Sequence, residues 1–446
     1  MATQPNSSNP APTRRFARAA RPGRWLLLLA GGAAGCNALF GIDEGTLVVI
    51  IDGAGAAGAG QSGAGGAGAG AAGAPAGAGG EAGAGQSGGA GISGAGGSAL
   101  TCPGLETACG DRCVDLASAV TDCGACAHDC GGGDCTLGVC QPAVVDVQTA
   151  GVASFGVGPA EIYFSTPAGM NGEPPKLFAC PKTGCTLAPR QLAAMAFYIG
   201  PIVYASGAVV FESAPTQSTT RPAVYACPEA GCPGPPSSLA SDGLNGFVGP
   251  LFAAGPRVFY NGGGIGLGFT TCGAGACVDG TSLAVKGLSA LSADATRLAF
   301  VDTTENGHRL AVCNFTGGTC TPTPLVEGDQ SAVQATQLHQ DTFYFMVPGR
   351  DGFVEGKLRA CSLADQCATV ANLANGLDSP TTLLVDDSGS YWFSKSTPTL
   401  QHCAPGTCTG GAKNLAGPLG APSQLTADDK FVYWLDAGVV WRVAKP

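Results

Sequence analysis

Residues 383–416 read LLVDDSGSYWFSKSTPTLQHCAPGTCTGGAKNLA, and the punctuation of this stretch decides the fold. An apolar stretch, Leu383-Leu384-Val385, meets a polar turn, Asp386-Asp387-Ser388-Gly389, and then an aromatic run, Tyr391-Trp392-Phe393. A third segment ends at Cys403, and a fourth runs from Cys408 to Leu415-Ala416. Short β-branched and aromatic runs separated by turn residues predict four antiparallel strands.

The unit repeats. The aromatic run returns as Ile162-Tyr163-Phe164, Ile202-Val203-Tyr204, Val258-Phe259-Tyr260, Leu298-Ala299-Phe300, Phe343-Tyr344-Phe345 and Val432-Tyr433-Trp434. The cysteine pairs are Cys180/Cys185, Cys227/Cys232, Cys272/Cys277, Cys313/Cys320, Cys361/Cys367 and Cys403/Cys408, with first members 47, 45, 41, 48 and 42 residues apart. A period in the forties with strand-like flanks predicts an all-β, seven-bladed β-propeller of four-stranded antiparallel blades, with six blades as the alternative count.

Strands are labelled a to d from the centre outwards. The aromatic run is assigned to strand b, and the segment ending in the first cysteine, such as Leu177-Phe178-Ala179-Cys180, to strand c. The second cysteine is expected to open strand d. Each pair then staples a c–d hairpin, contributing about 2 kcal/mol on the chain-entropy account. In the seventh unit Val440-Trp441-Arg442-Val443 aligns with the cysteine-ending segment, but Val443 stands at the cysteine position. Ala143-Val144-Val145-Asp146-Val147 is expected to supply the missing outer strand and close the ring.

Tyr391-Trp392-Phe393-Ser394 and Tyr433-Trp434-Leu435-Asp436 resemble the strands of YWTD-type propellers of receptor ectodomains, which implies the fold. Taken whole, the chain is similar to a myxobacterial family of predicted lipoproteins with a Cys-rich segment and a cysteine-stapled propeller. That resemblance implies no activity.

The N-terminus reads as an address. Arg14, Arg15, Arg18, Arg21 and Arg24 precede an apolar run from Trp25 to Ala30, and small residues lead to Cys36. This predicts a secretory signal over residues 1–35. Ala33-Ala34-Gly35-Cys36 resembles a bacterial lipobox, which implies lipidation of Cys36. Parity supports it: of 21 cysteines, twelve form the blade pairs and eight cluster at 102–140, leaving Cys36 over. Residues 36–52 form an anchor-proximal segment. The Gly/Ala/Ser-rich stretch 53–98 is expected to be a flexible tether.

Residues 99–141 form a disulfide-rich module with Cys102, Cys109, Cys113, Cys123, Cys126, Cys130, Cys135 and Cys140. Eight cysteines allow 105 pairings, and the sequence does not choose among them. A metal site on Cys123, Cys126 and Cys130 is the competing reading, set aside because exported chains oxidise such cysteines. The module's expected role is that of a spacer or adhesion element. The propeller occupies 142–446. So many matched cysteines imply an oxidising compartment, here the cell envelope, as an outer-membrane lipoprotein facing either the periplasm or the surface.

Catalytic signatures are scarce. The four histidines, His128, His308, His339 and His402, share no metal-ligand spacing, and no nucleophile elbow or phosphate loop appears in a strand–helix context. We therefore expect no cofactor and no bound metal. A net charge of −10 with 12% charged residues argues against nucleic acid as a partner. The acidic pairs Asp386/Asp387 and Asp428/Asp429 read as a–b turn residues.

In such a ring the a–b and c–d turns share one face, and the b–c and d–a connections share the other. Binding residues are expected in the longer b–c connections, around 166–176, 207–222, 302–309 and 348–356. They carry Glu212, Glu305, His308, Arg350, Asp351 and Glu355. The function expected is a monomeric, non-catalytic envelope lipoprotein whose propeller binds a protein or glycan. The alternative is an exported propeller enzyme of the calcium-dependent hydrolase or lactonase type.

Overall fold

In the computed structural model, described residues run from 100 to 446, except 150, 170–171, 215–222, 241–250, 262–266, 274, 279–280, 284–287, 305–306, 316–318, 327–332, 350–354, 407 and 409–410. No helix occurs among them. The signal, anchor-proximal and tether segments with Cys36 lie outside the described residues, as do Glu305, Arg350 and Asp351.

Seven antiparallel sheets follow one another along the chain. Blade 1 is Ser154–Val157, Glu161–Ser165, Lys176–Pro181 and Arg190–Ala194. Blade 2 is Tyr198–Ala205, Ala208–Ala214, Ala223–Pro228 and Ser237–Ala240. Blade 3 is Phe252–Ala254, Arg257–Asn261, Leu267–Gly273 and Thr281–Leu283, with an extra short strand, Ala276–Cys277. Blade 4 is Leu288–Ala293, Arg297–Thr304, Gly307–Asn314 and Thr323–Val326. Blade 5 is Ala335–His339, Thr342–Val347, Gly356–Ser362 and Val370–Leu377. Blade 6 is Pro380–Asp386, Gly389–Ser394, Thr399–Cys403 and Lys413–Ala416.

Blade 7 takes Pro422–Ala427, Phe431–Asp436 and Val439–Ala444 from the C-terminal end of the chain and Ala143–Val144 from before blade 1. Val144 lies opposite Trp441 and Ala143 opposite Arg442, and the Val145 N–H donates to the Val440 carbonyl at 2.8 Å. The ring is closed by pairing remote parts of the chain, as the unpaired Val443 implied.

Side-chain alternation explains why strands b are apolar throughout. Successive side chains of a strand point to opposite faces, and each face of a blade packs on a neighbour. Tyr391 and Phe393 enter the layer between blades 6 and 7, whereas Trp392 enters that between 5 and 6. Each of the seven junctions has its own apolar cluster.

Three expectations are corrected. In blade 2, Ile202-Val203-Tyr204 lies in strand a, and strand b is Ala208–Ala214, which pairs Val210 with Ala226. Two apolar runs flank the Ser206-Gly207 turn, and both satisfy the strand pattern. In blade 4, 302–309 is no open loop: Asp302 pairs with Arg309, Thr303 with His308 and Thr304 with Gly307, extending strands b and c. The β-branched Val301 and the Thr303-Thr304 pair favour that extension.

Contrary to the third expectation, the second cysteine of each pair does not open strand d. Cys185, Cys232, Cys320, Cys367 and Cys408 lie in the c–d connection ahead of that strand, and Cys277 ends the extra short strand of blade 3. In blade 4 the outer strand starts not at Cys320 but three residues later, at Thr323. The physical reason is reach. A disulfide holds its two Cα atoms about 5–6 Å apart, so the second cysteine must stay beside the end of strand c while the chain is still turning. Cys320 sits 5.4 Å from Cys313 by Cα.

The pairing itself is as expected: Cys180–Cys185, Cys227–Cys232, Cys272–Cys277, Cys313–Cys320, Cys361–Cys367 and Cys403–Cys408 are disulfides. The 102–140 module is linked Cys102–Cys113, Cys109–Cys126, Cys123–Cys135 and Cys130–Cys140, so each loop overlaps the next. Within it Asp122 is buried; the Ala127 N–H and Thr121 hydroxyl, with Arg112, hold its carboxyl below the usual range. The module packs on blade 7. Cys123, Cys130 and Cys140 cluster with Ala444 and Phe431. Arg442 lies over the Phe431 ring at 5.0 Å and donates to the Gly131 carbonyl, and His128 Nε2 meets the Lys445 carbonyl at 2.9 Å.

Candidate binding site

The turn face is spent on holding the ring together. Lys182 pairs with Asp428 at 2.7 Å across junction 7/1, and Arg190 donates to the Glu229 carbonyl at 2.9 Å across 1/2. The Gly275 N–H donates to the Ser206 carbonyl at 3.3 Å across 2/3, and Arg257 to the Ala295 carbonyl across 3/4. Arg297 reaches Asp341 at 2.7 Å across 4/5, Gln340 reaches Asp387 at 2.9 Å across 5/6, and Lys445 reaches Asp386 at 2.6 Å across 6/7. The acidic pairs act as turn residues: Asp428 accepts the N–H groups of Lys430 and Phe431, and Asp386 accepts that of Ser388. A cleft of about 350 Å³ on this face has Arg297 as its charged lining residue, and that guanidinium is engaged by Asp294 and Asp341.

The described histidines are structural as well. His402 is buried against the Tyr391 ring at 4.7 Å, with Nε2 3.0 Å from the Ser388 carbonyl; burial lowers its pKa. His339 Nε2 faces Asp387 at 3.0 Å, and His128 joins the module to blade 7. The side chain of His308 is not among those described. Near the ring centre, Gln337 of blade 5 clamps blade 6, its Nε2 donating to the Val385 carbonyl at 3.0 Å and its Oε1 accepting the Val385 N–H at 2.8 Å. Gln424 of blade 7 accepts the Phe155 N–H of blade 1 at 2.9 Å.

Glu212 stands apart. Three residues beyond the one opposite the first cysteine, strand b carries Ser165, Glu212, Val301, Met346 and Phe393 in blades 1, 2, 4, 5 and 6. Leu435 occupies the corresponding place in blade 7, opposite Val440. All are buried, and Glu212 is the one carboxyl among them. It is 8% exposed, with no hydrogen-bond partner among the described residues, and burial pushes its carboxyl up to about 8. It lies toward the b–c end of strand b, beside the d–a connection from blade 1. There Phe197 and Tyr198 remain 39% and 42% exposed. A methyl placed on Gly200 would lie 3.4 Å from Tyr198 Cε1 and 3.8 Å from Glu212 Cδ, so the glycine leaves the space between ring and carboxyl open. Burial also raises the Tyr198 pKa, and the Glu212 charge adds to the shift.

Of the residues singled out from sequence, Glu212 thus lies in a strand rather than a loop. Glu355 is exposed, just before strand c of blade 5, three blades away. Phe197, Tyr198 and Gly200 were not foreseen. They fall in and just after an apolar run, Leu192 to Ile199, that carries no signal of exposure. In the module, Cys123, Cys130 and Cys140 bring sulfurs within 4.8 Å of one another, but each is held in a disulfide, which removes the thiolate a metal needs.

No family model matches this chain, and no curated protein does. Among solved structures it is similar to virginiamycin B lyase from Staphylococcus aureus, at 11% identity and a TM-score of 0.47 over 68% of this chain and 98% of that one. It is similar to YCF48 bound to a D1 peptide, at 10% identity and 0.46 over 69% and 97%. BamB from Moraxella catarrhalis follows at 14% identity and 0.40 over 66% and 85%. No helix among the described residues is long and apolar enough to cross a membrane.

Proposed function

We propose that the chain is an exported, monomeric cell-envelope lipoprotein of the kind its likeness to the myxobacterial lipoproteins implies. Its propeller is a non-catalytic binding module for a protein or glycan. The observation that carries the binding reading is the exposed Tyr198 beside the buried, unpartnered Glu212, with Gly200 leaving the space between them open. Exposed aromatics beside a polar group form a surface that holds a ligand, since rings bring contact area at low conformational cost. On the opposite face a polar contact bridges each of the seven junctions.

The envelope reading draws on the cysteines. Ten disulfides take up twenty of the twenty-one, and Cys36 is left over, beyond a leader and ahead of a Gly/Ala/Ser tether. In this reading Cys36 carries the lipid, 53–98 is the tether, and Glu305, His308, Arg350, Asp351 and Glu355 add to the loop-face surface.

The test is an array of glycans and envelope-protein peptides probed with the mature protein and its Tyr198→Ala variant. A ligand retained by the parent and weakened at least tenfold in the variant supports the reading. A carboxyl protonated at neutral pH is also what a general acid requires. Calcium-dependent ester or glycoside hydrolysis lost in Glu212→Gln would therefore replace binding with the enzyme reading. Membrane fractionation of the full chain against Cys36→Ser tests the anchor: the variant is expected to leave the membrane fraction.

A further inference from the structure

The surroundings of Glu212 narrow the chemistry of the ligand. A carboxyl buried to this degree without a partner is costly to keep in its charged form, and five other blades fill the corresponding position with Ser165, Val301, Met346, Phe393 and Leu435. A neutral ligand would leave that cost in place. A positive charge seated against the carboxylate would remove it, and the neighbouring Tyr198 ring, separated from the carboxyl by the side-chain-free Gly200, offers the face on which an organic cation rests. Glu229, the nearest acid in sequence among the described residues, is held by the Tyr204 hydroxyl at 2.9 Å on the turn face. It does not compete for the same cation.

We propose that Glu212 and Tyr198 form a site for an organic cation: the ammonium or guanidinium of a partner's Lys or Arg side chain, or a free quaternary ammonium. The inference rests on the binding reading above and names the group on the ligand that the loop face recognises. No bond is made or broken. At neutral pH the buried carboxyl holds a proton, and seating the cation releases it to solvent. The neighbouring Tyr198 hydroxyl feels the Glu212 charge, which with burial raises its pKa, so it stays neutral over the range concerned.

The experiment is calorimetric titration of the full chain with choline, charged at every pH, and with a short Lys-containing peptide, at pH 6.5 and 8.5. Since the Glu212 carboxyl is held near 8, affinity for choline is expected to be about 20–30-fold higher at pH 8.5. Glu212→Gln is expected to lose both the binding and its pH dependence while unfolding cooperatively at a temperature no lower than the parent's; Tyr198→Ala is expected to weaken binding at both pH values. Tighter binding of the peptide than of choline assigns the site to a protein partner, and the reverse to a free quaternary ammonium. Equal binding to the parent and Glu212→Gln, or no binding of either probe at pH 8.5, overturns the cation site. If a glycan or peptide from the array still binds Glu212→Gln undiminished, the binding reading survives that loss; if nothing binds the parent, both fall.

Discussion

Single side chains set opposite pH trends in this protein. Glu212 has a folded pKa of about 8, far above that of a free carboxyl. Its contribution to stability is therefore complete below about pH 4 and is lost as pH rises toward 8. Glu212→Gln is expected to be more stable than the parent at pH 8, with the gap closing by pH 4 in urea titrations. Asp428 runs the other way. Burial opposes its ionisation, but Lys182 and the N–H groups of Lys430 and Phe431 outweigh it and lower the pKa. Its contribution is present above about pH 4 and lost as pH falls through the folded value. Asp428→Asn is expected to flatten the acid limb of the stability curve. Gln337 tests the ring centre: Gln337→Leu leaves the Val385 N–H and carbonyl facing an apolar chain and is expected to cost about 2–4 kcal/mol in denaturant unfolding.

At the scale of the strand and the blade, legibility depended on what repeats. Cysteine spacing and the apolar b strands are imposed by packing that recurs at every junction, so they showed in the sequence. Where strand d begins did not show, because the link between Cys320 and Thr323, or between Cys367 and Val370, is set by the turn and not by the pair. The b–c connections vary in length. That is why blade 2 misled: Ile202-Val203-Tyr204 and Val209-Val210-Phe211 both read as strands, and only pairing with Ala226 singles out the second. Glu212 was legible as a candidate, but its burial was not, because burial here is set by register against a neighbouring blade. Phe197 and Tyr198 were hidden inside an apolar run, Leu192 to Ile199, whose end gives no sign of facing solvent. Each blade staple spans a loop of only five to seven residues. Replacing Cys180 and Cys185 by Ser is therefore expected to cost about 2 kcal/mol, with the far-UV spectrum unchanged.

Across the whole molecule the seventh blade is the exception that completes the pattern. Cys140 stands three residues before the outer strand of blade 7, as Cys320 and Cys367 stand before those of blades 4 and 5. Strand c offers it Val443 rather than a cysteine, and Cys140 instead bonds Cys130 within the module, beside Ala444 at the end of that strand. The last module disulfide thus anchors the chain three residues ahead of the ring-closing strand without joining two strands of the blade. Replacing Cys130 and Cys140 by Ser removes a ten-residue link and is expected to cost about 3 kcal/mol. The loss should be read first as faster protease cleavage near residue 143, before any change in the other blades.

The overlapping module disulfides also set a load path. Tension entering from upstream of residue 100 would otherwise peel the two-residue strand Ala143–Val144 straight off Trp441 and Arg442. Cys102–Cys113, Cys109–Cys126, Cys123–Cys135 and Cys130–Cys140 interlock, so the segment cannot lengthen without breaking covalent bonds. The pull arrives instead as shear on the module's contacts with Phe431, Arg442 and Lys445, spread over blade 7. The seam that closes the ring is in this way shielded from a pull applied upstream of the module.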